Sequence, residues 1–252
     1  MQAALEDAGI MIGRSLRHAS RGLDTLLIGV LLPVLLLLLY VYVFGGAIAP
    51  DGRYLTYVVP GIVLLCAGYG AAGIAVPVAN DMTTGVIDRF RSLPILPSAV
   101  LIGHISASVI RNLSSTMLVL AVAFAIGFRP VAGPVEWLIA LTVLTLFIVA
   151  MSWVAVCFGL IASSVESASS FSFVILFLPY LSSAFVPVET MPAVLRGFAA
   201  HQPLTPMIET LRGLMIGTPV AGQAWVAVAW FGAILIVGYA IAGRLFARRT
   251  AR

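Results

Sequence analysis

The chain has 252 residues, of which 61% are hydrophobic and only 10% are charged, and its mean hydropathy is +1.10. A soluble globular domain does not bury so large an apolar fraction, whereas helices of about 20 apolar residues that cross a bilayer do. The sequence therefore predicts an all-α integral membrane protein. The formal charge of +4 arises from 14 Arg and 10 acidic residues, and the chain has no Lys. The lack of Lys excludes a P-loop on this chain, and the scattered Arg residues argue against nucleic-acid binding.

Residues 1–23 predict an amphipathic helix that lies in the membrane surface. Apolar residues from Leu5 to Leu23 recur on one side of this helix, and basic residues cluster on the other side. The basic residues expected to face lipid phosphates or an acidic partner protein are Arg14, Arg17 and Arg21. The alternative is a simple topogenic anchor, which accounts for the charge but not for the spacing of the leucines.

Six apolar stretches without charge have the length of a membrane-spanning helix. They are residues 25–50, 54–80, 112–128, 137–165, 167–188 and 213–242. Nine Arg residues near the ends of these stretches fall on one side of the membrane and four on the other, which predicts that both termini are cytoplasmic. The remaining one, Arg111, is expected a few residues inside the third span, where it can snorkel to the surface. The short loops indicate a single membrane domain over residues 1–252.

Segment 81–97 is predicted to form a short rigid helix in the first cytoplasmic loop. Asp81 is expected to cap this helix, and Pro94 prevents it from continuing. Phe90 lies beside charged residues and suits docking into a groove on a partner protein. The alternative is a solvated turn between two spans.

Segment 187–219, on the predicted outer side, is expected to form a re-entrant hairpin of two short helices. Thr190 and Thr205 are the expected caps, each followed closely by Pro, and the second helix is expected to end near Gly217. Non-spanning backbone at membrane depth must be covered by protein or line a cavity, so the hairpin is a candidate outer gate. The residues assigned to this gate are Pro187, Pro192, Pro203, Glu209 and Arg212. Glu209 and Arg212 are spaced to pair, and the alternative is an external lid without a gating role.

Other classes of membrane protein find little support in the sequence. Apart from Arg111, the spans lack the ionisable groups that ion-coupled carriers use. No Ser lies near a His in a catalytic pattern, so no catalytic residues are predicted. Cys66 and Cys157 have no neighbouring His or Cys, so neither a metal site nor a disulfide is expected.

Aromatic side chains in two spans are candidates for an apolar substrate path. They are Tyr40, Phe44, Phe173 and Phe177. Lipid-facing packing is the alternative for each of them.

Taken together, the amphipathic helix, six spans, loop helix and outer hairpin resemble the type-2 ABC exporter permeases. The local motifs are similar to those of the daunorubicin-resistance type of multidrug permease, and the resemblance covers nearly the whole chain. These motifs are Asp81 with Gly85, residues 87–94 (IDRFRSLP), Gly103 with Arg111, residues 183–187 (SAFVP), Met191 with Pro192, residues 201–206 (HQPLTP) and residues 211–213 (LRG). Many type-2 permeases carry Glu and Gly-Thr where this chain has Asp81 and Thr84-Gly85.

The resemblance implies a permease subunit that exports amphipathic drugs or antibiotics across the bacterial cytoplasmic membrane. It implies two separate ATPase subunits, which hold ATP and Mg, and a second permease that is either an identical copy or a paralogue. It also implies that one group of residues couples the chain to the ATPases, namely Asp81, Gly85, Asp88, Arg89, Phe90, Arg91 and Pro94. A lipid or glycolipid exporter of the same type is the main alternative, followed by an ion-coupled carrier.

Overall fold

The computed structural model describes residues 23–49, 53–84 and 97–250, and the regular structure in these ranges is entirely helical. The α-helices are α1 (Leu23–Leu38), α2 (Tyr54–Ala72), α3 (Ala75–Thr83), α4 (Pro97–Ala125), α5 (Pro134–Ile161), α6 (Val165–Phe177), α7 (Ala193–His201), α8 (Leu204–Ile216) and α9 (Ala221–Thr250). Two sets of predicted residues lie outside the described ranges. They are Arg14, Arg17 and Arg21 of the amphipathic helix, and Gly85, Asp88, Arg89, Phe90, Arg91 and Pro94 of the loop.

Five helical segments of the described chain are long and apolar enough to cross a membrane. They are Gly29–Ile48, Tyr54–Thr83, Leu101–Ala125, Pro134–Ile161 and Gly222–Arg248. The first of them continues α1 through a π-helical segment and one further turn. These segments confirm an all-helical membrane protein, with boundaries that differ from the predicted spans at several points.

α2 lies at the centre of the bundle and contacts α1, α4, α5, α6 and α8. This helix is apolar on every side, and most of it is buried among these neighbours. Small residues allow the closest approaches. A methyl group at Gly61 would overlap with the backbone of Ala184, and one at Gly238 of α9 would lie 3.1 Å from Cβ of Trp153 in α5.

The second span is interrupted between α2 and α3. Pro77 has no N–H to donate to the carbonyl of Gly73, and the Ile74 N–H donates to Ala71 (3.3 Å) instead of Gly70. The carbonyls of Gly70 and Gly73 therefore lack the donors that a continuous helix supplies.

The predicted third span begins too late in the sequence. α4 starts at Pro97 and its apolar part at Leu101, whereas the expected span started at residue 112. The prediction required a stretch without charge, so the charge of Arg111 excluded the residues that precede it. In the structure Arg111 lies ten residues beyond Leu101, about 15 Å along the helix, and not near its end.

The predicted fifth span is shorter than expected. Its apolar helix covers Val165–Leu181, changing to 3-10 geometry at Leu178 just before Pro179, and has 17 residues. A helix of that length rises about 25 Å, less than the roughly 30 Å of a bilayer core. The remaining predicted residues form a non-helical stretch, residues 182–187, which we call the connecting segment.

The predicted pair of short helices in segment 187–219 is present as α7 and α8. The expected caps are wrong: Pro192 and Pro203 precede the two helices, while Thr205 lies inside α8. The helix α8 ends at Ile216, close to the predicted end, and Gly217 caps it in the left-handed conformation (φ +77°). Eleven of the 13 residues of α8 are buried among α2, α5 and α9, whereas α7 is mostly exposed.

Replacing Gly61 with Ala is expected to lower the free energy of unfolding by about 1–3 kcal/mol, because the new methyl group overlaps with the Ala184 backbone. Thermal denaturation in a mild detergent measures this change. Gly232→Ala in α9 is the matched control, since nothing lies within 4 Å of the added carbon. Equal melting temperatures for the two variants would contradict the close contact.

Candidate functional site

Two groups of polar contacts lie at opposite ends of the bundle. The Asp81 end comprises the end of α3, the start of α4 and the turn between α5 and α6. The Arg212 end comprises the start of α2, the connecting segment, α7 and α8.

Arg212 makes the most extensive polar contacts at its end of the bundle. Its side chain is only 5% exposed. It donates to the carbonyls of Tyr57 (Nε, 3.2 Å) and Ser183 (Nη2, 2.7 Å), and it forms an ion pair with Glu209. The guanidinium carbon also lies 3.8 Å from the centroid of the Tyr57 ring. The predicted pairing of Glu209 with Arg212 is present, but the guanidinium faces the protein interior.

Two tyrosines of α2 add hydrogen bonds to the connecting segment. The Tyr57 hydroxyl donates to the carbonyl of Ser183 (2.8 Å), which Arg212 also contacts. The Tyr54 hydroxyl donates to the carbonyl of Phe185 (2.9 Å). These bonds satisfy carbonyl groups for which no regular helix supplies a donor, as burial away from water requires.

The corner between α7 and α8 is closed by two further buried side chains. The Thr205 hydroxyl donates to the Ala199 carbonyl (2.6 Å) and accepts from the Ser183 N–H (3.4 Å). The Gln202 amide donates to Thr205 (3.3 Å) and accepts from the Leu204 N–H (3.2 Å). We call Tyr54, Tyr57, Gln202, Thr205, Glu209 and Arg212 the Arg212 cluster.

The predicted gate residues therefore have two different settings. Glu209 and Arg212 belong to the Arg212 cluster. The three prolines instead lie immediately before the short helices that surround the cluster, where the fixed φ of Pro suits a helix start. They are Pro187, Pro192 and Pro203.

The aromatic side chains predicted to line a substrate path separate into two groups. Tyr40 stacks on Phe185 with 4.3 Å between ring centroids, and Phe44 lies 5.6 Å from Tyr40. Phe177 joins this group through Tyr180. Phe173 lies one turn nearer the Asp81 end, is 59% exposed and lines a cavity near Arg111.

Asp81 occupies a different position from the one expected. It lies inside α3 and not at the cap of a following helix, and its Oδ2 is 2.9 Å from Nε2 of His104 in α4. Each side chain is 21% exposed. This contact joins the two helices that flank the loop of residues 85–96.

Comparison with protein families identifies the class of membrane protein. Residues 6–216 match the family described as ABC-2 type transporter. The match covers five-sixths of the chain, including the Arg212 cluster and Asp81. This chain belongs to the ABC-2 type transporter family.

Relatives of this ABC-2 family member include permease proteins with names that refer to drug resistance. The daunorubicin resistance ABC transporter permease protein DrrB1 of Streptomyces coeruleorubidus is 31% identical over 191 residues, which cover 75% of this chain and 68% of the relative. The probable doxorubicin resistance ABC transporter permease protein DrrC of Mycobacterium tuberculosis is 25% identical over 230 residues, covering 90% and 83%. These relatives are transport components of ABC systems and not ATPases themselves.

Sequence reasoning missed most members of the Arg212 cluster. Tyr54 and Tyr57 are one helical turn apart and face the same side, which is a signal for a shared contact. Their partners, however, lie 126 or more residues away in the chain. Local patterns do not indicate such distant contacts.

Replacing Arg212 with Met is expected to lower the free energy of unfolding by about 2–4 kcal/mol, because it removes two buried hydrogen bonds and leaves Glu209 without its ion-pair partner. Arg212→Lys is expected to recover only part of the loss, since one ammonium does not reach all three partners. Thermal denaturation measures both effects. Arg196→Met is the control because Arg196 is exposed and bonds only the carbonyls of Glu189 and Met191. A loss no larger than that of the control would contradict the assigned role.

Proposed function

We propose that this chain is the transmembrane permease subunit of an ATP-driven exporter that moves amphipathic drugs or antibiotics out of the cell. The observation that carries the proposal is the family match over residues 6–216. The names of the relatives, which refer to daunorubicin and doxorubicin resistance, support drugs as the cargo. The largely apolar character of the spans is compatible with amphipathic compounds.

Energy for transport comes from other chains in this proposal. Members of the ABC-2 family normally work with an ATPase subunit, and the absence of Lys leaves this chain without a P-loop of its own. We propose two ATPase copies, which hold ATP and Mg, together with a second permease that is an identical copy or a paralogue. This chain then holds no cofactor.

We propose that the Asp81 end faces the cytoplasm, with both termini of the chain on that side. The excess of Arg near that side of the spans supports this orientation. Residues 85–94 would contact the ATPases, assisted by the amphipathic helix of residues 1–23. The hydrogen bond between Asp81 and His104 supports this arrangement because it joins α3 to α4, so a force on the intervening loop acts on both helices.

The Arg212 end faces outward in this proposal. The helix Val165–Leu181 together with the connecting segment completes a sixth crossing, and α7 and α8 form a re-entrant outer gate. Burial of α8 among three spans supports its position at membrane depth, since polar backbone there must be covered by protein. The exposed helix α7 is then the movable part, and Tyr40, Phe44, Phe173 and Phe177 lie along the substrate path.

Affinity purification from native membranes in a mild detergent tests the partnership. The expected result is a P-loop ATPase in fixed stoichiometry with this chain, with hydrolysis that doxorubicin stimulates at least about twofold. Recovery of the chain without any ATPase, together with transport driven by an ion gradient alone, would contradict the proposal.

Substitutions in the loop test the site of coupling. Arg89→Glu and Phe90→Ala are expected to reduce drug transport about tenfold or more, because each removes a contact to the ATPase, while the amount of protein in the membrane stays constant. Drug accumulation in vesicles and ATP hydrolysis are measured side by side. Arg129→Glu, at an exposed position between α4 and α5 at the opposite end, is the control. Transport at the unsubstituted level by both loop variants would exclude this loop as the coupling site.

A further inference from the structure

A cavity of about 360 Å³ lies in the half of the bundle nearer the Asp81 end, beside the break between α2 and α3. Five helices contribute to it, namely α1, α2, α3, α4 and α6. The lining residues that bear on its chemistry are Tyr69, Arg111, Asn112, Ser115, Ser172 and Phe173. Because Arg111 and Phe173 are both partly exposed, the cavity opens to the surface of the bundle.

The cavity exists because small residues separate the helices around it. Gly29 of α1 faces Ser115, since an added Cβ there would lie 4.0 Å from the Ser115 hydroxyl oxygen. Gly70 of α2 faces Asn112, and a Cβ at that position would overlap with the Asn112 side chain. Beyond the break at Gly73, α3 packs against α5 and α6. Larger residues at these positions would fill the space.

Arg111 gives the cavity an uncompensated positive charge. It lies about 15 Å along the apolar part of α4, and within the described chain it has neither a hydrogen-bond acceptor nor an ion-pair partner. The part of the lining that the structure describes contains no Asp or Glu. Charged side chains at membrane depth normally pair with another group or face a ligand path, so an unpaired Arg indicates a missing anion.

Hydroxyl groups near Arg111 supply further hydrogen-bond donors, beside an Asn112 side chain that is fixed by Ser108. Asn112 is almost fully buried and is held in place by its contact with Ser108 (3.4 Å), which in turn contacts Ser152 of α5 (3.4 Å). The hydroxyls of Ser115 and Ser172 face the same space. Phe173 provides an apolar wall. A cationic head group would meet the Arg111 charge here and be disfavoured.

We propose that this cavity binds the anionic group, a carboxylate, sulfonate or phosphate, of an amphipathic ligand, with Arg111 as the charge partner and Phe173 against the apolar part. The inference depends on the proposed export function at one point only, where it treats this ligand as the exported compound. A lipid head group and an exported amphipathic acid present the same chemistry to Arg111, and the experiment separates them.

Cysteine labelling tests the charge of the cavity directly. In a full-length chain with Cys66→Ala and Cys157→Ala, Ser172→Cys reports on the cavity and Val194→Cys, at an 88% exposed position on α7, reports on the opposite end. The rates of reaction with the anionic reagent MTSES and the cationic reagent MTSET are measured in nanodiscs. Arg111→Gln is expected to lower the MTSES to MTSET rate ratio at position 172 about tenfold. Arg111→Lys is expected to retain most of it.

The ratio at position 194 is expected to be the same in all three proteins, because that position is exposed and lies at the opposite end from Arg111. An unchanged ratio at position 172 in Arg111→Gln would overturn the proposal. These rates need neither ATP nor a partner chain. An unchanged labelling ratio would therefore not contradict the proposed export function. In the same way, absence of an ATPase partner would not contradict the labelling result.

Protection of position 172 then identifies the source of the anion. In phosphatidylcholine nanodiscs, cholate is expected to slow labelling at least about fivefold more than its uncharged methyl ester, which would support an amphipathic acid as ligand. Slower labelling of position 172 in nanodiscs that contain phosphatidylglycerol, with no cholate added, would support a lipid head group as the ligand. Equal protection by cholate and methyl cholate, with none from phosphatidylglycerol, would contradict an anion site.

Discussion

The structure depends on how the backbone of the connecting segment, residues 182–187, is hydrogen bonded. Inside a bilayer, a carbonyl without a donor costs several kcal/mol, so a non-helical stretch is stable there only when other parts of the protein supply donors. Arg212, Tyr54 and Tyr57 supply them. Because these side chains come from α8 and α2, the same bonds also fix α8 against the central helix.

The second span connects the three polar regions of the molecule. Its first turns carry Tyr54 and Tyr57, its middle passes the cavity at Gly70, and α3 ends beside Asp81. The break at Gly73 divides this span into two helices, α2 and α3. α2 carries part of the Arg212 cluster, whereas α3 is hydrogen bonded to α4 through Asp81 and His104.

Sequence patterns predicted the features that depend on local chemistry. The apolar composition indicated a membrane protein, Gly217 marked the end of α8, and Glu209 and Arg212 were expected to pair. These patterns failed where contacts between residues far apart in the chain determine the structure. The requirement that a span contain no charged residue misplaced the start of α4, because Arg111 is tolerated beside a cavity. The same requirement extended the fifth span beyond Leu181, because the sequence does not reveal the hydrogen bonds from α2 to the connecting segment. Asp81 suggested a cap, whereas its partner His104 lies 23 residues away.

The central claim is that this chain forms the membrane path of an exporter powered by a separate ATPase. The most direct test is accumulation of doxorubicin and of taurocholate inside proteoliposomes that contain the chain together with its purified ATPase, with the ATP-binding face outward. The account predicts uptake of at least one of these compounds that requires ATP and stops with a non-hydrolysable analogue. Uptake that proceeds on an ion gradient without ATP, or no uptake of either compound by the complete assembly, would contradict it.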